Sequence, residues 1–404
     1  MAVHNIDNLT LSLLISGRLQ EIDWKSFSET EWESLISKAQ REGVAPLVYW
    51  TFSKARNLSN LPLGIRNQLR SAYAGIWMQN QRMFKELETI ARLFDQAGIE
   101  VVALKGVCVA LTIYPDIGLR PMGDMDLLVS KEHLADAVQI AESLGYMDCT
   151  PDASPGLKDL LSHHVGLQKT GSQPLTLEIH DRLVGEDAFS FSVPVDWFWE
   201  QTEQLISSSF GQFDNLLMLT PAAQVMYASS HAMLQHGGKD APLRWFYDID
   251  LLIRTYQGQM DWSLLLSQAK IFEWSSALHA ALTQTVAYFD TPVPNHVLAE
   301  LWQNVDRHHS LVALKQTRPA TNILLEFQKL SSLNWHGRIR LVLALIVPSP
   351  SYMRWRYQLK NSWQLLAYYP FRWWVILKDA VRTVIELFKR VPVKKIVNHI
   401  HAFL

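Results

Sequence analysis

The chain has 404 residues, 48% of them hydrophobic and 19% charged, with a formal net charge of −2. That composition excludes an intrinsically disordered chain, and the length exceeds what a single core usually serves, so several folded parts are expected. Two cysteines, Cys108 and Cys149, exclude a disulfide framework or a thiolate metal cluster and fit a reducing cytoplasm.

The N-terminal apolar run from Leu9 to Ile15 has Asp7 and no Lys or Arg before it, which argues against a secretory signal. The first hundred residues read as helices. Ser28 is an N-cap with Glu31 completing a capping box, and Trp32, Leu35, Ile36 and Ala39 follow at helical spacing as far as Gly43. A longer helix is predicted from about Leu69 to Ala97, with Ile76, Met83, Leu87, Ile90 and Phe94 on one stripe and Gly98 as its stop.

The pattern changes at Ile99, where a β-branched run leads to Leu104-Lys105-Gly106. Met125 to Val129 is a second strand, Lys131 to Leu144 a helix ending at Gly145, and Leu175 to Ile179 a third strand with clean alternation. Beyond about Val195 helical periodicity returns. These elements predict an α+β fold: a small mixed sheet at residues 87–196, a helical region at 1–86, a helical subdomain at 197–337 and a basic, Trp-rich helical segment at 338–404. No apolar stretch approaches the length of a spanning helix.

Chemistry concentrates at Asp124-Met125-Asp126-Leu127-Leu128-Val129. Residues two apart in a strand share a face, so both carboxylates converge and repel unless a cation lies between them. A turn with solvated charges would show the same letters. Three neighbours favour a metal. Gly106 lets backbone NH groups approach a phosphate beside Lys105, Arg120 can grip one bidentately, and Glu178 shares its strand face with Thr176 and His180. Mg²⁺ or Mn²⁺ on Asp124, Asp126 and Glu178 is the expected cofactor. The same repulsion predicts that removing both aspartates leaves stability unchanged or slightly higher.

At these residues the sequence resembles the DNA polymerase beta-like nucleotidyltransferases, and more closely a bacterial branch known as an uncharacterised nucleotidyltransferase family. The resemblance is carried by Leu104-Lys105-Gly106, by Tyr114 and Arg120 leading to Asp124 through Val129, by Glu178-Ile179-His180, and by His231 to Asp248, and it covers about Leu87 to Leu265. It implies transfer of a nucleoside monophosphate from a triphosphate such as ATP to an unknown acceptor, with Asp124, Asp126 and Glu178 catalytic and Lys105, Gly106, Arg120 and His180 on the nucleotide. Val107 stands where the superfamily usually places serine or glycine, and Lys105 would take over part of that contact. Phosphoryl transfer, or binding without catalysis, are the rival activities.

His231, His236, Arg244 and Asp248 read either as a cleft facing the active centre or as a buried hydrogen-bond network. Arg244 and Asp248 also have the spacing of a helix ion pair. Between Arg338 and Lys395, twelve Lys or Arg face only Asp379 and Glu386, so this stretch carries about +10 and the remainder about −12. Its interleaved Trp and Arg suit packing on the helical region, contact with a membrane surface, or less readily nucleic acid. The expected location is cytoplasmic, with a peripheral membrane contact as an option.

Overall fold

The computed structural model describes residues 7–148, 152–154, 162–171, 174–183, 193–207, 210, 213, 215–236, 238, 241–304 and 335–390. The chain divides into two compact units. The first comprises residues 1–147, 164–183 and 193–312 and holds the sheet; the second comprises 148–163, 184–192 and 313–404.

The first unit opens with helices α1 (Asn8–Ile15), α2 (Glu29–Arg41), α3 (Ala45–Lys54) and α4 (Leu63–Gln96). Helix α2 starts on the Ser28–Glu31 capping box, which satisfies two of the backbone donors that every helix start exposes. The long α4 begins six residues before the expected Leu69. Its Met83, Phe84, Leu87, Ile90 and Phe94 form one fully buried stripe against the sheet.

The sheet has seven strands in the order β3-β4-β5-β2-β1-β7-β6. In chain order they are β1 (Val101–Ala103), β2 (Met125–Leu128), β3 (Tyr146–Asp148), β4 (His164–Lys169), β5 (Leu175–His180), β6 (Thr202–Gln204) and β7 (Leu216–Leu219). The central β2 runs antiparallel to β1 and parallel to β5. Helix α5 (Lys105–Thr112) leaves β1, and α6 (Leu134–Ser143) follows β2. Met125, Leu127, Leu177 and Ile179 face the core with side chains from α4, α5 and α6. Asp126, Glu178 and His180, one step out of phase, stand on the other face.

The α+β class and a single mixed sheet are as expected. The boundary at Asp196 is not where the strands stop, because β6 and β7 extend the sheet past it. Short apolar strands such as Leu216-Leu217-Met218-Leu219 carry no alternation that separates them from a buried helical turn.

A short α7 (Val195–Glu200) precedes β6, and after β7 the chain continues through α8 (Pro221–Ser230), a π-helical turn at His231–Gln235, α9 (Leu243–Thr255), α10 (Trp262–Ile271), α11 (Ser275–Phe289) and α12 (Asn295–Gln303). In the second unit, α13 (Trp335–Ile346), α14 (Pro350–Tyr357) and α15 (Leu365–Arg390) are helical. No helix among the described residues is long and apolar enough to cross a membrane.

Candidate active site

Strand register places the acids. Asp126 on β2 is paired directly with Glu178 on the parallel β5. His180, two residues on, brings Nε2 to 2.9 Å from Asp126 Oδ1 and 3.5 Å from Glu178 Oε2. Ligand atoms of Asp126, Glu178 and His180 all lie within 4.8 Å of one another, a spacing that suits one metal ion. On the antiparallel β4, His164 pairs with His180, their rings 5.0 Å apart, and His164 Nε2 is 3.8 Å from Glu178 Oε1.

Lys105 approaches from the start of α5. Its Nζ lies 2.7 Å from Asp126 Oδ1, and the pair is largely shielded from solvent. Its backbone sits at φ +45°, a left-handed conformation that costs a side-chain-bearing residue energy and that persists where surrounding structure enforces it. The N-cap of α5, Leu104, supplies no side-chain hydrogen bond, and the first turn contains no acid.

The charges are unevenly balanced. Burial pushes the Asp126 carboxyl up, yet the Lys105 ammonium and the His180 hydrogen bond prevail and hold it below the usual carboxylate range. Burial pulls the His180 imidazole down, but its bonds to Asp126 and Glu178 raise it overall. Asp124, just before β2 and outside the closest group, is pushed up to about 6 by burial and then by the charges of Asp126 and Glu178. Lys105 and Arg120 offset only part of that repulsion.

Arg120 takes a different place from the one expected. Its Nε lies 2.9 and 3.0 Å from the two Asp248 oxygens, Nη2 is 2.7 Å from Oδ2, and Nη1 donates to the Pro121 carbonyl. Tyr114 donates to Asp248 Oδ1 at 2.7 Å. This buried knot ties the loop before Asp124 to α9 and turns the guanidinium onto protein rather than phosphate. Asp248 therefore belongs to a buried network, and its partner is Arg120 rather than Arg244.

Gly106 stands in the first turn of α5. A Cβ there would come within 3.1 Å of Met122 Cγ, so its missing side chain also serves close packing under the loop.

Arg244 is the cation left over. It is mostly buried, yet no side-chain hydrogen bond or ion pair joins it to the described residues, and its Nε is an orphaned donor. Burial and then the Arg120 charge pull its pKa down, while Asp248 and Asp124 act the other way. Its neighbour Trp245 forms a three-ring cluster with His231 and His236 at 4.6 to 4.8 Å. Burial and then the Lys105 ammonium hold His231 well below its ordinary pKa.

Three contributors had no expected role. Tyr227 on α8 is buried, burial raises its pKa, and Lys105, Asp126 and Glu178 all act on its ionisation after that. Asn80 on α4 donates to the carbonyls of Ile117 at 2.6 Å and Arg120 at 2.8 Å, and Gln79 donates to Met122 at 2.6 Å. Both hold the loop that delivers Asp124. A polar pair inside an otherwise amphipathic helix was the available signal.

A comparison with curated proteins finds no match. The family model described as uncharacterised nucleotidyltransferase matches residues 28–290, a span that contains the whole sheet and every residue of the site described above. The chain belongs to that uncharacterised nucleotidyltransferase family.

Proposed function

We propose that the protein transfers a nucleoside monophosphate from a nucleoside triphosphate to an acceptor with the help of Mg²⁺ or Mn²⁺, as a bacterial member of the DNA polymerase beta-like superfamily. The observation that carries this reading is the in-register pair Asp126–Glu178, with Asp124 just before the same strand and pushed up to about 6 by burial and then by the charges of those two acids. Three acids crowd a partly dry place that holds two cations short of neutralising them. The residues fit a divalent ion: the donors are hard oxygens plus one imidazole, their spacing matches, and added positive charge would relieve Asp124.

Asp126 and Glu178 would hold the metal, with Asp124 or His180 completing the set. When bound, the ion would neutralise charge on the transferred group and ease ionisation of the attacking hydroxyl. The chain's own residues supply the rest. The acceptor oxygen forms a bond to the α-phosphorus, the bond from that phosphorus to the bridging oxygen breaks, and pyrophosphate leaves. The hydroxyl proton passes to a carboxylate of the set. Lys105 and the open N-terminus of α5 favour the anionic leaving group, and Arg244 offers a guanidinium without an ion pair among the described residues. His180 keeps Asp126 oriented, and His231, whose ring packs with His236 and Trp245, would border the substrate. A triphosphate donor implies a cytoplasmic setting.

One observation favours a rival: Asp126 Oδ1 already receives both Lys105 and His180, as an acid kept for binding rather than catalysis would. Triphosphates labelled at the α- or γ-position, incubated with the protein, Mg²⁺ and a cell extract, separate the readings. Transfer of the α-label is expected. Transfer of the γ-label would mean phosphoryl transfer, and binding without turnover would mean a binding protein.

A further inference from the structure

The second unit exposes an unusual amount of apolar surface. Of twenty-two large hydrophobic side chains exposed among the described residues, fourteen lie between Trp335 and Val381. On α15, Leu366, Trp374, Leu377 and Val381 recur at helical spacing, and Leu366 is 82% and Leu377 63% exposed. The helix is anchored along a different line. Tyr369 donates to the Pro348 carbonyl, Arg372 to Leu345 at 3.1 Å and Trp373 to Ile346. These bonds satisfy carbonyls at and just beyond the C-terminal end of α13 and leave the apolar stripe open.

The charge around the stripe has one sign. Seven Lys or Arg lie between Trp335 and Val381 against Asp379 alone. Lys378 holds its ammonium 5.1 Å over the Trp374 ring, where an amphipathic indole and a cation share one level. The stripe from Leu366 to Val381 spans about 22 Å along the axis, too short and too charged to cross a bilayer but suited to lie on one.

We propose that this face binds an anionic lipid surface, with α15 lying in the headgroup plane, its apolar stripe sunk into the acyl boundary and the surrounding cations on phosphate groups. A protein partner would have to match a broad cationic field as well as an irregular row of indoles. A bilayer satisfies both without a specific shape. Each cation adds its own attraction to an anionic surface, so several of them give a strong dependence on lipid charge.

The test uses the full chain with sucrose-loaded vesicles of phosphatidylcholine alone or of equal parts phosphatidylcholine and phosphatidylglycerol. Sedimentation with the anionic vesicles is expected to be at least about tenfold stronger than with neutral ones and to weaken with salt. The triple variant Leu366→Glu, Trp374→Glu, Leu377→Glu should lose that binding with its melting temperature kept. Quenching of tryptophan fluorescence by brominated lipid in the unmodified protein supplies a readout that depends on no variant. The proposal fails if the chain stays in the supernatant with both lipids, if brominated lipid does not quench, or if a correctly folded variant sediments as before. It also fails if centrifugation shows a wild-type dimer that the variant dissolves, since a second copy would then cover the stripe.

Discussion

Lys105 Nζ and His180 Nε2 converge on the same oxygen of Asp126, at 2.7 and 2.9 Å. The two aspartates of the motif are therefore unequal. Asp126 is a buried anion held by two donors, whereas Asp124 is a repelled one. Mutual repulsion alone suggested that both could be removed without loss. The contacts of Asp126 overturn that for its half of the pair, because its removal deprives buried Lys105 of its hydrogen-bonded counter-charge and leaves His180 with Glu178 alone. Asp126→Ala should cost about 3–5 kcal/mol. Urea unfolding in metal-free buffer checks it, and an unchanged midpoint would mean the cluster is more solvated than its burial implies.

Asp124 gives the opposite sign. Its folded-state pKa of about 6 exceeds the ordinary carboxylate value, so the native state binds more protons than the unfolded chain between about pH 4 and pH 6. Stability contributed by this group is greatest below that window and is lost as pH rises through it. Asp124→Asn should accordingly gain melting temperature over wild type as pH climbs from 4 toward 6, with a plateau above. Mg²⁺ should shrink the gain by stabilising the ionised wild type. A difference that stays flat across this range in metal-free buffer would show that Asp124 feels neither burial nor its neighbours.

Much of this site can be read from the sequence because strand alternation is a short-range rule. Asp126 with Met125 and Leu127, and Glu178 with Leu177 and Ile179, show their faces letter by letter, and the register that joins them follows once β2 and β5 are neighbours. The Ser28 capping box is equally local. The partner of Asp248 was not legible. Asp248 is 128 residues from Arg120 and only four from Arg244, and local spacing favoured the nearer cation. Tertiary packing chose the farther one. Gly118 shows the same limit: a Cβ there would lie 2.7 Å from Tyr73 and 3.0 Å from Trp77, a close approach of the loop to α4 that no local pattern announces.

The Arg120–Asp248–Tyr114 knot is expected to act on stability first. Asp248→Ala strands a buried guanidinium and should cost about 3–5 kcal/mol, while Tyr114→Phe removes one neutral donor and should cost about 1 kcal/mol. If Arg120 instead served the triphosphate directly, Tyr114→Phe and Asp248→Asn would both alter nucleotide affinity at nearly unchanged melting temperature. Calorimetric titration with a non-hydrolysable triphosphate, beside thermal unfolding, separates the two.

The loop carrying Asp124 is held from α4 by Asn80, which spans the carbonyls of Ile117 and Arg120. Asn80→Ala leaves two buried carbonyls without that donor and should cost about 1–3 kcal/mol. Its effect on label transfer should exceed its effect on nucleotide affinity, because the loop positions an acid rather than a phosphate contact. Equal losses in both would place Asn80's loop on the nucleotide itself.

Arg244 offers the sharpest contrast between stability and function. Its guanidinium is mostly buried, is repelled by Arg120 and has no ion pair among the described residues, so in the ligand-free protein it is a liability. Arg244→Met keeps much of the side-chain volume and removes the charge. It should leave the melting temperature unchanged or raise it, while weakening triphosphate binding about tenfold or more, the equivalent of one charge-assisted hydrogen bond. A second route reaches the same cation. Gly43 lies at φ +70°, and a Cβ there would come within 2.6 Å of Arg244 Cδ and Nη1, so Gly43→Ala must displace the guanidinium as well as strain its own backbone. Gly43→Ala should therefore weaken triphosphate binding as Arg244→Met does, but lower the melting temperature instead of raising it. If Arg244→Met destabilises the fold and leaves triphosphate affinity untouched, Arg244 is a packing residue resting on Trp245, and another cation must hold the phosphates.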